Sequence, residues 1–357
     1  MKRALSPNDP SRILPELPRG SDVLIVRLRS LGDMVMLTPT LAAVHAWRPD
    51  LKLRVISQPA FAAILEGNPA VEEIILFKTV LACARDLRTR RAPVLFNQHG
   101  GPTSAVLSAA SGVPLRVCWN HCQFSWVYNV RVPGATQFYG ARDCHTIEHR
   151  LTQFYYCGLP RGPIPPPQLF PQPDATASVR EKLRAHGIAD GERYAVLHPG
   201  ASHAAKQWPI ERFGEIARWL HAERGLRPVI RLGPNDAELA ARIPQHFGSE
   251  TVVLDANAMD LREAIALIAG AAFFLGNDSG PAHLAAAARR PLVVIFGATD
   301  PATWGPWQTP HRVVQATEPC ERCRAGRCFA GDGGRCILSI PAEQVREACS
   351  QMLAGTR

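Results

Sequence analysis

From residue 22 onward the chain alternates short, continuous apolar runs with longer amphipathic segments. DVLIVRL (22–28) is a β-branched run without polar alternation, which predicts a strand buried on both faces. SLGDM follows, and then MLTPTLAAVHAWRP, which predicts a helix, so Gly32 and Asp33 fall in the loop between a strand and its helix. LKLRVISQP and VEEIILF predict two more strands with FAAILEGNP as a helix between them, and RAPVLFNQHG adds a strand that ends in a polar loop. This alternation predicts an α/β fold with a doubly wound parallel sheet.

The pattern stops at LPRGPIPPPQLFPQPD (159–174), where seven prolines rule out a helix or a central strand and predict an extended, semi-rigid linker. It then restarts. RYAVLHPG, RPVIRLGP, TVVLDA, AFFLGND and PLVVIFGAT predict strands with helices between them, the first at about 209–224. The expected organisation is a leader over 1–20, a Rossmann-like domain over 21–160, a Pro-rich linker over 161–175, a second Rossmann-like domain over 176–340 with a Cys-rich loop at 320–336, and a C-terminal helix over 341–357. Loops at the C-terminal ends of the two sheets are expected to face each other across a ligand-binding cleft.

Composition narrows the class of function. With 46% hydrophobic and 20% charged residues the chain is an ordinary globular protein, and no run reaches the roughly 18 apolar residues of a membrane span. The N-terminus carries charges and prolines where a signal peptide has an apolar stretch, so a cytoplasmic location is expected. A net charge of +9 favours an anionic partner, whether nucleic acid, acidic membrane or phosphorylated substrate, or else describes a solvated basic surface. The densest basic cluster, Arg85, Arg88, Arg90 and Arg91, surrounds Leu87 on a predicted helix.

Candidate chemistry sits at strand ends. A carboxylate at Asp33, beside a helix start, suits a general base for an acceptor hydroxyl, and it equally suits a helix cap. In HPGASHAAKQWP (198–209), small residues with Ser202 and Lys206 form a candidate diphosphate cradle. In FLGNDSGPAHLAAA (274–287), backbone N–H groups at Ser279 and Gly280 can hold a phosphate or sugar hydroxyl. Asp278 is the acceptor there and His283 lies one turn in; capping by Asp278 or Ser279 is the structural alternative. His99, in the loop NQHGGPTS, is an acceptor-side candidate together with Gly32.

Cys83, Cys118, Cys122, Cys144 and Cys157 are scattered and read as buried thiols. Cys320, Cys323, Cys328 and Cys336 fall within 17 residues and can surround one structural zinc or iron ion, or stand as thiols. A nicotinamide enzyme is disfavoured because the first βα turn lacks GxGxxG. A nucleic-acid-binding module is disfavoured because Asp33 and Asp278 would repel phosphates.

Taken in order, GDMVMLTP, HPGASHAAKQWP, NDSGPAHLAAA followed by PLVVIFGATDPATWGPW, and the late cysteine cluster resemble the ADP-heptose:lipopolysaccharide heptosyltransferases, glycosyltransferase family 9, over about 22–350. The form LRxxGDMxxLTP is similar to the heptosyltransferase III-like members. The resemblance implies a GT-B fold and an inverting mechanism that requires no cofactor for catalysis. It also implies transfer of L-glycero-D-manno-heptose from ADP-heptose to an inner-core lipopolysaccharide sugar at the cytoplasmic face of the inner membrane, with peripheral membrane contact and no nucleic-acid partner. It carries over Asp33 as catalytic base, Lys206 as a donor-phosphate contact assisted by Ser202, and Asp278, Ser279, Gly280 and His283 as the segment holding diphosphate and heptose. Glu238, in LGPNDAEL, is carried over to the adenosine ribose. A family member that uses another nucleotide sugar, or an O-antigen sugar or a protein as acceptor, remains the alternative, since no spacing selects ADP.

Overall fold

The computed structural model describes residues 5–355 apart from 141–142, 235, 256, 317–322, 325–326 and 329–333, with backbone alone at 323–324 and 327–328. The chain divides into two compact units, Met1–Phe170 and Pro171–Arg357, so the junction falls inside the Pro-rich stretch.

In the first unit, α1 (Ile13–Glu16) precedes β1 (Asp22–Val26), α2 (Leu31–Val35), α3 (Thr38–Trp47), β2 (Lys52–Ser57), α4 (Pro59–Ala62), β3 (Glu73–Leu76) and α5 (Val80–Arg90). β4 (Val94–Asn97), α6 (Pro102–Ala110), β5 (Leu115–Trp119), β6 (Val130–Val132), α7 (Ala135–Tyr139) and α8 (Thr146–Tyr156) complete it. The six strands are parallel in the order β3-β2-β1-β4-β5-β6. β1 and β4 are central and buried along almost their whole length, which is why they read as unbroken apolar runs.

Three local readings change. Asp33 is not in an open loop: it is the third residue of the one-turn helix α2. Pro39, at the start of α3, supplies no N–H to continue that turn, so α2 stays separate from α3, the helix expected over MLTPTLAAVHAWRP. The helix expected over FAAILEGNP is one turn, α4, because the chain takes a left-handed φ of 71° at Gly67 and turns at Asn68. The leader is packed: Ile13 and Leu14 are fully buried, the Leu14 N–H donates to the Cys157 carbonyl at 2.9 Å, and Arg48 donates to the carbonyls of Leu14, Pro15 and Leu17.

In the second unit, α9 (Pro173–Ala185), β7 (Tyr194–His198), α10 (Ile210–Arg224), β8 (Arg227–Arg231), α11 (Ala237–His246), β9 (Val252–Leu254) and α12 (Leu261–Gly270) form the first half. β10 (Phe273–Asn277), α13 (Gly280–Ala287), β11 (Leu292–Ile295), α14 (Pro301–Trp304), β12 (His311–Val314), the hairpin of β13 (Cys323–Arg324) and β14 (Arg327–Cys328), α15 (Arg335–Ser339) and α16 (Ala342–Ala354) follow. The sheet order is β12-β11-β10-β7-β8-β9, again all parallel. Phe213, Leu220, Phe273, Ile295 and Val345 belong to one apolar core that joins α10 and α16 to this sheet.

Counted from its own first strand, each sheet runs 3-2-1-4-5-6, the order of doubly wound nucleotide-binding folds. In such a sheet the strand order reverses between the first and fourth strands, and the loops leaving their carboxyl ends open a crevice there. That places the loops after β1 and β4 at the first unit's reversal, and those after β7 and β10 at the second's. Among the described residues no helix is long and apolar enough to cross a membrane.

Candidate functional site

The first unit's reversal holds a clamped carboxylate. Arg27, directly after β1, is buried, donates to the Gln98 carbonyl and pairs with Asp33 Oδ2. Arg150, brought in by α8 and 4% exposed, pairs with Asp33 Oδ1. Ser30 is the N-cap residue of α2; its Oγ donates to Asp33 Oδ2 at 2.9 Å and its N–H at 3.4 Å. Asp33 is therefore a cap and a charge centre together. Burial alone pushes its carboxyl up, but the Arg150 and Arg27 charges and the two Ser30 hydrogen bonds outweigh it and bring it down to about 2. Burial, then the like charge of Arg150, pulls the Arg27 guanidinium down to about 9, with Asp33 opposing.

The loop after β4 comes to the same place. Asn97, fully buried, accepts the N–H groups of His99 and Gly100 at 2.9 Å each, an Asx turn, and donates to Tyr128 Oη at 2.5 Å. His99 lies within range of Arg27, Arg29 and Asp33: burial, then the two arginine charges, hold its imidazole down to about 4, so it is neutral near pH 7. Its Nδ1 is buried without a hydrogen-bond partner among the described residues. Gly32 is buried at the second position of α2. Asp33, Gly32 and His99 thus share one corner of the first unit.

The second unit's reversal holds an ion pair. Lys206, in the one-turn segment 204–206 after β7, pairs with Asp278 at 2.7 Å, and Thr299 Oγ1 donates to the same Asp278 oxygen. Asn277, fully buried at the end of β10, ties the β7 loop down by donating to the Pro199 carbonyl at 2.7 Å and accepting the Trp208 N–H at 3.2 Å. Ser279 is the N-cap residue of α13, Gly280 its first residue, and His283 lies half-buried one turn further. An ammonium has three donors and, among the described residues, Asp278 uses one, so Lys206 has two to offer an anion, next to N–H groups at a helix start. Ser202 is exposed in the same loop.

Glu238 is exposed on the first turn of α11 and makes no ion pair among the described residues. The acidic residue buried near it is Asp236, which accepts the Gly233 N–H at 2.6 Å and lies so close to Gly200 that a Cβ there would collide with it.

Sequence reasoning missed Arg27, Arg150, Asn97, Asn277 and Thr299. The two asparagines carried a usable signal, since each is a polar residue closing an apolar strand run. Of the cysteine cluster, Cys320 lies outside the described residues, Cys323 and Cys328 are backbone partners across the β13–β14 hairpin, and Cys336 is in α15. Among the described residues no group of three or more ligating side chains could hold a metal ion.

Known proteins resemble this chain in sequence and fold. The profile of glycosyltransferase family 9 (heptosyltransferase) matches residues 80–332. Lipopolysaccharide heptosyltransferase 3 of Escherichia coli K12 is 27% identical over 344 residues, covering 91% of this chain and 96% of that protein. Among solved structures, the glycosyl transferase family 9 protein of Veillonella parvula has a TM-score of 0.85 at 18% identity, covering 95% of this chain and 99% of its own. E. coli ADP-heptose lipopolysaccharide heptosyltransferase II has a TM-score of 0.76 at 22% identity, covering 94% and 99%. With the profile matching well over half its length and two doubly wound parallel sheets of the GT-B pattern, the chain belongs to glycosyltransferase family 9 (heptosyltransferase) and is a glycosyltransferase.

Proposed function

We propose that this enzyme transfers L-glycero-D-manno-heptose from ADP-heptose to an inner-core lipopolysaccharide sugar, with inversion and with Asp33 as the base. The observation that carries the reading is the Asp33 clamp at the first unit's strand reversal. Two guanidiniums keep the carboxylate ionised throughout the physiological pH range. So acidic a group takes a proton only late, as the acceptor oxygen bonds to the anomeric carbon and the hydroxyl loses its hold on hydrogen. Among the described residues, Oδ2 carries Arg27 and both Ser30 bonds while Oδ1 carries Arg150 alone, so Oδ1 is the oxygen with a lone pair left for the acceptor. Donor and acceptor identities are supported by the relatives named above.

In the second unit, Lys206 and the N–H groups at the start of α13 take up charge developing on the departing ADP, with Ser202, Asp278, Ser279, Gly280 and His283 as donor contacts and Glu238 as a ribose contact. This supply of positive charge makes a catalytic metal unnecessary to the proposal. The cysteine loop is assigned a structural zinc or iron, favoured by the register that pairs Cys323 with Cys328, with Cys320 and Cys336 as the other ligands. Metal analysis finding less than a tenth of an equivalent would remove that assignment.

The acceptor is lipid-anchored in this reading, so the enzyme works from the cytoplasmic face of the inner membrane. Leu81, Val106 and Trp126 are 61%, 55% and 73% exposed on α5, α6 and the turn 125–127, segments that pack in sequence, with Lys78, Arg85 and Arg88 exposed on and beside α5. Apolar tips among cations suit an anionic bilayer surface.

The decisive experiment combines a donor screen with one variant. ADP-heptose is expected to raise the melting temperature more than UDP- or GDP-sugars, and to support transfer to truncated lipopolysaccharide. Asp33→Ala is expected to lose at least a hundredfold in turnover while donor affinity by calorimetry stays within about twofold. Near-wild-type turnover in that variant would remove Asp33 from the role of base.

A further inference from the structure

Behind the turn that carries His99 lie two thiols in contact. Cys118 is the fourth residue of β5 and fully buried; Cys122 follows in the next loop and is partly exposed. The Trp119 carbonyl accepts the Cys122 N–H at 3.1 Å and folds the chain back, leaving the two sulfurs 2.6 Å apart. A disulfide bond is about 2.05 Å long, so closing it requires a shift of roughly half an ångström. The other buried cysteines outside the C-terminal loop, Cys83, Cys157 and Cys349, have no hydrogen-bonded sulfur neighbour among the described residues.

We propose that Cys118 and Cys122 form an oxidation site that closes to an intramolecular disulfide under a peroxide and reopens under a dithiol. The roles of the two sulfurs differ. The Cys118 thiol donates toward Cys122, which holds Cys122 below and Cys118 above the ordinary thiol range. Cys122 is also the less buried of the two residues. As the thiolate it attacks one peroxide oxygen, breaks the O–O bond and becomes a sulfenic acid, and the other oxygen leaves as water after taking a proton. The Cys118 sulfur then attacks the Cys122 sulfur, the S–O bond breaks, the hydroxyl leaves as a second water with the Cys118 proton, and the S–S bond forms. Two thiols are oxidised and one peroxide is reduced.

The site adjoins the acceptor-side loop. Cys118 Sγ lies 3.5 Å from the Asn97 carbonyl, and Cys122 Sγ would stand 3.1 Å from a Cβ at Gly100, where φ is +76°. The disulfide forms directly beside Asn97, whose side-chain oxygen fixes the His99 turn.

Both sulfurs fall in one tryptic peptide, 117–131, which gives the test. After treatment of the intact protein with hydrogen peroxide, that peptide is expected to lose two hydrogens, resist alkylation, and recover both alkylation sites with dithiothreitol, while Cys83, Cys157 and Cys349 stay alkylatable after unfolding. Cys118→Ala is expected to leave Cys122 as a sulfenic acid that dimedone captures. The proposal is overturned if peptide 117–131 keeps two alkylatable thiols while other cysteines oxidise. It is equally overturned if wild-type Cys122 proceeds to sulfinic acid with Cys118 still a thiol.

Discussion

Arg27 and Arg150 are both buried, and Asp33 is their carboxylate partner among the described residues. Removing that one negative charge leaves two cations facing each other out of water, so Asp33→Asn is expected to cost about 3 kcal/mol of stability, measured by urea unfolding at pH 7. The sign of the pH dependence follows from the depressed carboxyl. Its folded value is about 2 against an ordinary 3.8, so the stabilisation is complete above about pH 4 and is lost as pH falls through 2. The stability gap between wild type and Asp33→Asn is therefore expected to narrow between pH 4 and 2; a constant gap there would contradict the ionic origin. Asp33 was legible because a strand, a tight turn and a helix start are adjacent in sequence. Arg150 was not, being 117 residues away on a helix with no distinguishing pattern, and it contributes half of the clamp.

The central strands of both units were readable as apolar runs, since parallel strands covered on two faces need no polar alternation. β5, β6 and β12 were not. Arg116 interrupts the first, the second has three residues, and the third is half exposed at a sheet edge. Element ends are held by buried amides. Asn277→Ala would leave the Pro199 carbonyl and the Trp208 N–H buried without their partner, and is expected to cost about 2 kcal/mol. Because the same amide fixes the loop bearing Lys206, donor KM is expected to rise while acceptor KM holds; steady-state kinetics with each substrate varied in turn would show it. The leader is pinned at Gly158, whose φ is +101° and where a Cβ would meet the Ser11 carbonyl and the Pro15 ring. Gly158→Ala is expected to lower the melting temperature by several degrees, about 2 kcal/mol, through release of α1 from α8.

At the scale of the molecule, three exposed cations, Lys78, Arg85 and Arg88, stand on and beside α5 with exposed Leu81, and Val106 is exposed on the neighbouring α6. Binding to vesicles rich in anionic lipid is expected to fall several-fold between 50 and 300 mM salt, by co-sedimentation, and Trp126→Ser together with Arg88→Ser is expected to weaken it further. Binding indifferent to both salt and these residues would remove the proposed membrane contact. What composition could not supply was this coincidence of charge and apolar tips, which depends on how α5, α6 and the turn 125–127 pack. The chain passes from one unit to the other once, at the Phe170–Pro171 junction. Each half is therefore a continuous coding segment with its own sheet and its own strand reversal. Recombination at that junction exchanges everything assigned to the nucleotide sugar, from the Lys206 loop to α16, as one cassette that leaves the Asp33 clamp uncut.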